Sequence, residues 1–388
     1  MEGDFIKINN WLQPLSWVYG CIVGFRNFLF DVGILKSRAF SVPIIAVGNI
    51  TVGGTGKTPH VEYLVRLLKN RASVAVLSRG YKRKSKGFVL ANEQATAREI
   101  GDEPYQMKQK FNGITIAVDK NRVHGIETLT SQVKGIDVIL LDDAFQHRYV
   151  KPGINILLVD YHRLIIYDKL LPAGRLREPL VGKNRADIVI VTKCPKDLKP
   201  MNFRVITKAM DLFAYQSLFF TTLAYEEPRH LFNNNIRPLS DITPDEHVLL
   251  LSGIASPEQF VKDLSSLKAH LSTLTFPDHH DFSRKDVQHI NETFAALPSP
   301  KSIITTEKDA ARLVATEGLS NEVRQHIYSL PIRIQFMLEQ EEVFNEKILG
   351  YVRKNSRNSI LAKGKDEDKP QDSDRAGDRP RTISFRNI

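Results

Sequence analysis

The sequence predicts an α/β protein with a mainly parallel sheet, followed by a second, smaller α/β unit. Three observations carry this. Short β-branched runs alternate with helical stretches from residue 41 to about 210, the pattern that winds a parallel sheet. A glycine-rich stretch sits at the first strand-to-helix junction. The same alternation starts again at residue 247 after a weaker stretch.

The first 40 residues stand apart. No charged residue occurs from Ile8 to Phe25, and Trp11, Leu12, Leu15, Trp17, Val18, Tyr19, Ile22 and Phe25 fill much of the stretch. An acidic start (Glu2, Asp4) without a small-residue cleavage site argues against a signal peptide. Asn9, Asn10, Gln13, Pro14 and Ser16 dilute a spanning helix, and two Trp and a Tyr suit the headgroup boundary. Residues 11–38 are read as one or two amphipathic helices lying on a membrane face. A helix packed on the core and a true span are the alternatives.

Strands are predicted at 44–48, 73–78, 114–118, 137–141, 154–159 and 187–191, with helices at 57–69 and 103–110. Order weakens over 203–225 into short β-like pieces that suit a connector. The second unit reads as strand 247–252, helix 257–269, strand 271–276, helix 283–297 and strand 302–306. From 364 onward Asp, Lys, Arg, Pro and Ser dominate, which predicts a disordered tail. The expected division is an N-terminal segment 1–40, a first lobe 41–210, a β connector 211–235, a second lobe 236–355 and a tail 356–388.

Composition narrows the function. Two cysteines, Cys21 and Cys194, give neither a disulfide framework nor a zinc motif. The net charge of +10 fits nucleic acid, anionic lipid or phosphorylated substrates. The densest basic cluster, RGYKRKSK at 79–86, lacks any RNA-recognition, helix-turn-helix or zinc-finger context. No nucleic acid is expected, and no protein partner is predicted.

The strongest motif is GNITVGGTGKTP at 48–59. It follows an apolar strand and opens a helix, the setting of a phosphate-binding P-loop. Backbone N–H groups of Thr51, Val52, Gly53, Gly54, Thr55, Gly56, Lys57 and Thr58 can wrap phosphates at the positive end of a helix. Lys57 would reach the β- and γ-phosphates of ATP, and the Thr58 hydroxyl would coordinate Mg²⁺. The strict pattern wants glycine where Thr51 stands, so Gly53 and Gly54 supply the permissive backbone. The apolar run 137–141 ends in Asp142 and Asp143, the Walker B form, and strand alternation turns these acids to different sides. Proline at 195 removes the acid of a guanine motif, and Val52 stands where partition ATPases carry an extra lysine. Both departures favour a kinase.

The stretches VGNITVGGTGKTP, LSRGYKRKSKGF, GDEP, DDAFQHR, LLPAGRLREP, VTKCP, FPDHHDF and TTEKDAARL occur in an order that resembles the tetraacyldisaccharide 4'-kinase family over about residues 42–313. The family's glycine in the fourth stretch is Ala144 here. The resemblance implies transfer of the ATP γ-phosphate to the 4'-hydroxyl of a lipid A disaccharide precursor. It implies the cytoplasmic face of the inner membrane, and two α/β/α lobes joined by a short β connector with catalysis between them. On residues alone Asp102, in GDEP, is equally a helix cap or a catalytic acid; the resemblance marks it as the carboxylate near the acceptor hydroxyl. His279 would be its partner across the cleft. The likeness also suggests Glu178 as a further metal carboxylate and Arg177 as a phosphate clamp. Gln146 and His147 would orient nucleotide or metal-bound water. Arg79, Tyr81 and Arg83 would grip the phosphate and sugar of an anionic lipid. Lys308 and Asp309 are read as structural. A kinase of a soluble substrate and a non-kinase membrane ATPase remain as alternatives.

Overall fold

The computed structural model describes residues 8–254, 257–278, 280–314 and 316–356. Fourteen strands are described: β1 (Ile44–Gly48), β2 (Val74–Ser78), β3 (Val89–Leu90), β4 (Thr115–Val118), β5 (Val138–Asp142), β6 (Ile154–Asp160), β7 (Ile188–Thr192), β8 (Ser217–Tyr225), β9 (Arg229–His230), β10 (His247–Ser252), β11 (His270–Thr275), β12 (Lys301–Thr306), β13 (Ile327–Leu330) and β14 (Ile332–Phe336). The helices are α1 (Gln13–Asp31), α2 (Lys57–Leu68), α3 (Ala97–Ile100), α4 (Asp102–Lys110), α5 (Arg122–Gln132), α6 (Pro200–Met210), α7 (Pro257–Leu264), α8 (Arg284–Ala295), α9 (Glu307–Leu313), α10 (Asn321–His326) and α11 (Glu341–Asn355).

The strands form a nine-stranded sheet, ordered β14-β8-β7-β6-β1-β5-β2-β4-β3, and a five-stranded sheet, ordered β11-β10-β12-β13-β9. From β8 across to β4 the large sheet is parallel. Such strands bury both faces, which explains the continuous apolar runs in the sequence. In β1, Ile45 and Val47 join the core under α2 and α11, while Ile44 and Ala46 face the cluster that includes Ile126 and Leu129 of α5. The smaller sheet packs Leu249, Leu251, Ile303 and Ile327 against Val287, Ile290 and Phe294 of α8.

Two boundaries differ from the sequence expectation. The stretch 203–225 is not a string of short β pieces: its start lies in α6, and β8 is a full strand pairing with β7 and β14. The second unit also ends earlier than residue 355. β14 returns to the edge of the large sheet, and Phe344, Ile348 and Val352 of α11 are buried in the first lobe's core. The smaller sheet is thus inserted between two strands of the larger one. The N-terminal segment forms one helix, α1, after a short 3-10 turn. No helix of the described residues is long and apolar enough to cross a membrane. The expected tail from residue 357 onward lies outside the described residues.

Candidate active site

Parallel strands end on one edge, so the loops after β1, β2, β5 and β7 gather there, at the carboxyl edge where open α/β sheets bind ligands. β1 lies between β5 and β6, and its loop runs into α2 through Gly56, whose φ of +80° is left-handed. Side-chain space above Gly53 and Gly54 is open: a Cβ at Gly53 would meet only Arg175 Nη1 at 3.9 Å, and one at Gly54 would meet nothing. The cradle is braced from below. Asn49 Nδ2 donates to Thr55 Oγ1 (2.8 Å), and Thr192 at the end of β7 donates to Thr55 O (3.0 Å). His60 Nδ1 contacts Gly56 O at 2.7 Å, and its Nε2 lies 3.1 Å from Thr221 Oγ1. Burial pushes this imidazole down to about 4, so it is neutral. Val52 N donates to Arg175 O (2.8 Å) and Arg177 N to Ile50 O (2.7 Å), strapping the loop to residues 175–177.

The two Walker B acids take different partners and differ electrostatically. Asp142 is buried; its Oδ2 accepts from Ser78 Oγ (3.1 Å), while Oδ1 is buried with no hydrogen-bond partner. Burial first, and then the charge of Asp143, raise its pKa to about 6. Asp143 follows in a left-handed conformation with φ +47°. Its Oδ1 lies 3.4 Å from Lys57 Nζ and 3.1 Å from Arg177 Nη2. Burial opposes its ionisation, but Lys57 and Arg177 outweigh that and hold it down at about 2. One hard-anion acid beside an orphaned buried oxygen, with the Thr58 hydroxyl at the head of α2, is an oxygen set suited to Mg²⁺ that keeps water and phosphate ligands.

Opposite this loop, the turn after β2 meets the start of α4. Gly80 and Gly101 pack so closely that a Cβ on Gly101 would lie 3.1 Å from Gly80 Cα, and one on Gly80 would lie 2.8 Å from Ile100 O. Both have positive φ (+65° and +95°). This contact sets the turn carrying Arg79 and Tyr81 beside Asp102, the first residue of α4. Glu103 is near enough for its charge to raise Asp142 further. Asp102 Oδ2 accepts from Arg312 Nε (2.9 Å) and Nη2 (2.8 Å) of α9, in the other sheet's layer.

Lys57, Asp142, Asp143 and Arg177 therefore gather, with Thr58 next along α2, and Asp102, Arg79 and Tyr81 lie at the adjoining turn. Other expected residues sit differently. Among the described residues no trio of His, Cys, Asp or Glu forms a metal cage. Glu178 is committed elsewhere, accepting from Arg185 Nη2 (2.8 Å) and Gln146 Nε2 (3.1 Å). Gln146 also donates to Asn49 O, so this pair braces the phosphate loop. Arg177 donates to Asn49 and Asp143, which makes it a link between loop and acid. Arg83 turns inward to Ser85, Val118 O and Gly87 O rather than outward to a ligand. His147 is held at about 4 by burial and by Arg122, so it is neutral. Asp309 is structural: it caps α9 with Thr306 and accepts from Gly253 N. Lys308 reaches Asp278 (3.1 Å). His279 lies outside the described residues.

Sequence reasoning missed three arginines. Arg122 is buried, donates to Asp142 O (2.9 Å) and Asp119 O (2.6 Å), and fixes the end of β5. Arg175 is exposed over Gly53. Arg312 holds Asp102. Asn121, a residue type that caps helices, directly before Arg122 was the available signal for Arg122; the other two have none without tertiary contacts.

Comparison with known proteins identifies the family. A family model described as tetraacyldisaccharide-1-P 4'-kinase matches residues 8–353. The tetraacyldisaccharide 4'-kinase of Phocaeicola vulgatus is 59% identical over 363 residues, covering 92% of this chain and 99% of the relative. The Bacteroides thetaiotaomicron protein of the same name is 54% identical, with 93% and 98% covered. A crystal structure of LpxK from Aquifex aeolicus in complex with ATP superposes with a TM-score of 0.70 at 31% identity, covering 89% of this chain and 99% of that one.

Proposed function

The chain belongs to the tetraacyldisaccharide 4'-kinase family, and from that premise we propose how its residues carry the reaction. It is an ATP-dependent kinase of lipid A biosynthesis that transfers the γ-phosphate to the 4'-hydroxyl of a tetraacyldisaccharide 1-phosphate. The observation that carries the mechanism is the shared contact of Lys57 and Arg177 with Asp143, facing the turn that bears Asp102.

The loop 51–58 binds the phosphates through its backbone N–H groups and the positive end of α2. Lys57 leaves Asp143 to reach the β- and γ-phosphates, and Arg177 keeps the loop and Asp143 in register. Thr58, Asp142 and Asp143 would hold Mg²⁺; the unpartnered Asp142 Oδ1 supports this assignment. The ion, when bound, neutralises charge that builds on the transferring phosphoryl group. Glu178 and Gln146 act beneath the loop. Asp102 orients the 4'-hydroxyl and accepts its proton, with His279 as its partner. Arg79 and Tyr81 bind the anionic sugar headgroup.

The exposed apolar residues of the N-terminal segment, among them Trp11 of the 3-10 turn at 88% exposure and Trp17 of α1 at 67%, support peripheral docking on the cytoplasmic face of the inner membrane. Labelled ATP, Mg²⁺ and tetraacyldisaccharide 1-phosphate in detergent micelles test the mechanism. Label should reach the lipid with wild type and fall by about 10³-fold with Asp102→Asn, while ATP affinity stays within about twofold. Full transfer by Asp102→Asn would remove Asp102 from the reaction.

A further inference from the structure

We propose that Arg312 is a positioning residue for phosphoryl transfer, aiming the Asp102 carboxylate from the opposite lobe; this rests on the reading of Asp102 given above. Two N–H groups of Arg312 converge on a single oxygen, Asp102 Oδ2, at 2.9 and 2.8 Å. The third nitrogen, Nη1, donates to Asp309 Oδ1 at 3.2 Å. Asp309 is itself fixed, since its Oδ2 accepts from Gly253 N (2.9 Å) and Thr306 Oγ1 (2.7 Å). With only 6% of its side chain exposed, the guanidinium has no room to swing. A planar fork held on one edge by a buried acid presents the other edge in one direction only. Asp102, at the first position of α4, therefore takes its orientation from a residue 210 positions later in the chain.

The contact has a chemical consequence. Holding Oδ2 on the guanidinium fixes the plane in which the carboxylate can meet an acceptor hydroxyl. It also makes the carboxylate's alignment depend on docking of α9 against α4. The same two helices are tied a second time by Lys110 Nζ and Glu307 Oε1 at 2.6 Å, so joining the lobes does not by itself require Arg312.

The test uses the full chain with labelled ATP and tetraacyldisaccharide 1-phosphate in micelles. Arg312→Gln should lower kcat by about 10- to 100-fold, with the KM for ATP unchanged. Arg312→Lys, which keeps the charge but cannot make the fork, should recover only part of the loss. Glu307→Gln, which cuts the second tie, should leave kcat within about threefold. Placed on Asp102→Asn, Arg312→Gln should reduce the residual rate no further, because its effect runs through that carboxylate. Wild-type kcat in Arg312→Gln, full recovery by lysine, an equal loss in Glu307→Gln, or an independent loss on Asp102→Asn would each overturn the proposal. Should Arg312→Gln fail to fold, Arg312→Lys gives the same readings. Failure of the underlying reading looks different: Asp102→Asn itself would then retain transfer.

Discussion

Lys57 and Asp143 neutralise one another across 3.4 Å, so removing the lysine does two things. It takes a cation from the phosphates and leaves Asp143 leaning on Arg177 alone. Lys57→Ala should cut kcat by about 10²-fold or more, measured by lipid phosphorylation, with the fold intact by circular dichroism. His60 offers a stability test. Its folded pKa of about 4 lies below the ordinary 6.5. Between these values the unfolded chain binds the proton and the native loop does not, so stability is present above pH 6.5 and drains as pH falls toward 4. The loss amounts to ~3 kcal/mol, and a His60→Gln protein should lack that part of the slope in denaturation runs from pH 7 to 4. Individual residues were legible where the chemistry is contiguous. Lys57, Thr58, Asp142 and Asp143 sit in short motifs at strand ends, so neighbours in sequence are neighbours in space. Arg312 was invisible because its partner, Asp102, lies 210 positions away along the chain and meets it only through tertiary folding.

Among the elements, α2, α4 and α9 share one ionic knot, largely shielded from solvent. Lys110 of α4 sits 2.7 Å from Glu62 of α2 and 2.6 Å from Glu307 of α9. One ammonium cannot neutralise two carboxylates, and burial first, then the Glu307 charge, push Glu62 up to about 7. Ionised Glu62 is thus disfavoured in the native state: its contribution is fully present below pH 4.5 and is lost as pH rises toward 7. Glu62→Gln should therefore be relatively more stable than wild type at pH 8 than at pH 4.5, a gap that closing of the two melting curves at alkaline pH would refute. Lys110→Met leaves buried Glu62 facing half-buried Glu307 with no cation between them and should cost ~3 kcal/mol in urea denaturation. The strands of the parallel sheet were readable because burial on both faces demands unbroken apolar runs. β14 and α11 were not, because nothing local distinguishes a strand returning to the first sheet from one continuing the second. The partner of β14 is β8, more than 100 residues earlier.

At the scale of the whole molecule, α1 joins two tasks that the sequence pattern could not separate. Its apolar residues pointed to a membrane face, and Trp17, Ile22 and Phe25 do stand exposed. The polar side chains between them bind the catalytic lobe instead. Ser16 Oγ donates to Leu170 O (3.0 Å) and accepts from Ala173 N (3.0 Å), and Tyr19 donates to Arg177 O (2.7 Å). Arg26 Nη2 reaches Gln146 O (3.3 Å). The helix therefore clamps both loops that brace the phosphate site while its outer side stands exposed, the side proposed to meet lipid. The two tasks should come apart by substitution. Changing Trp17, Ile22 and Phe25 together to Ser removes apolar area from the outer side and touches no loop. That variant should lose binding to anionic vesicles yet keep its rate on substrate in micelles. Tyr19→Phe with Ser16→Ala loosens residues 170–177 and leaves the outer side intact. It should bind vesicles normally while the KM for ATP rises about 3- to 10-fold, within what three hydrogen bonds of ordinary strength would allow. If the outer-side variant lost micellar activity to the same degree, the helix would be a single structural element, and its exposed face would have to be explained by something other than lipid.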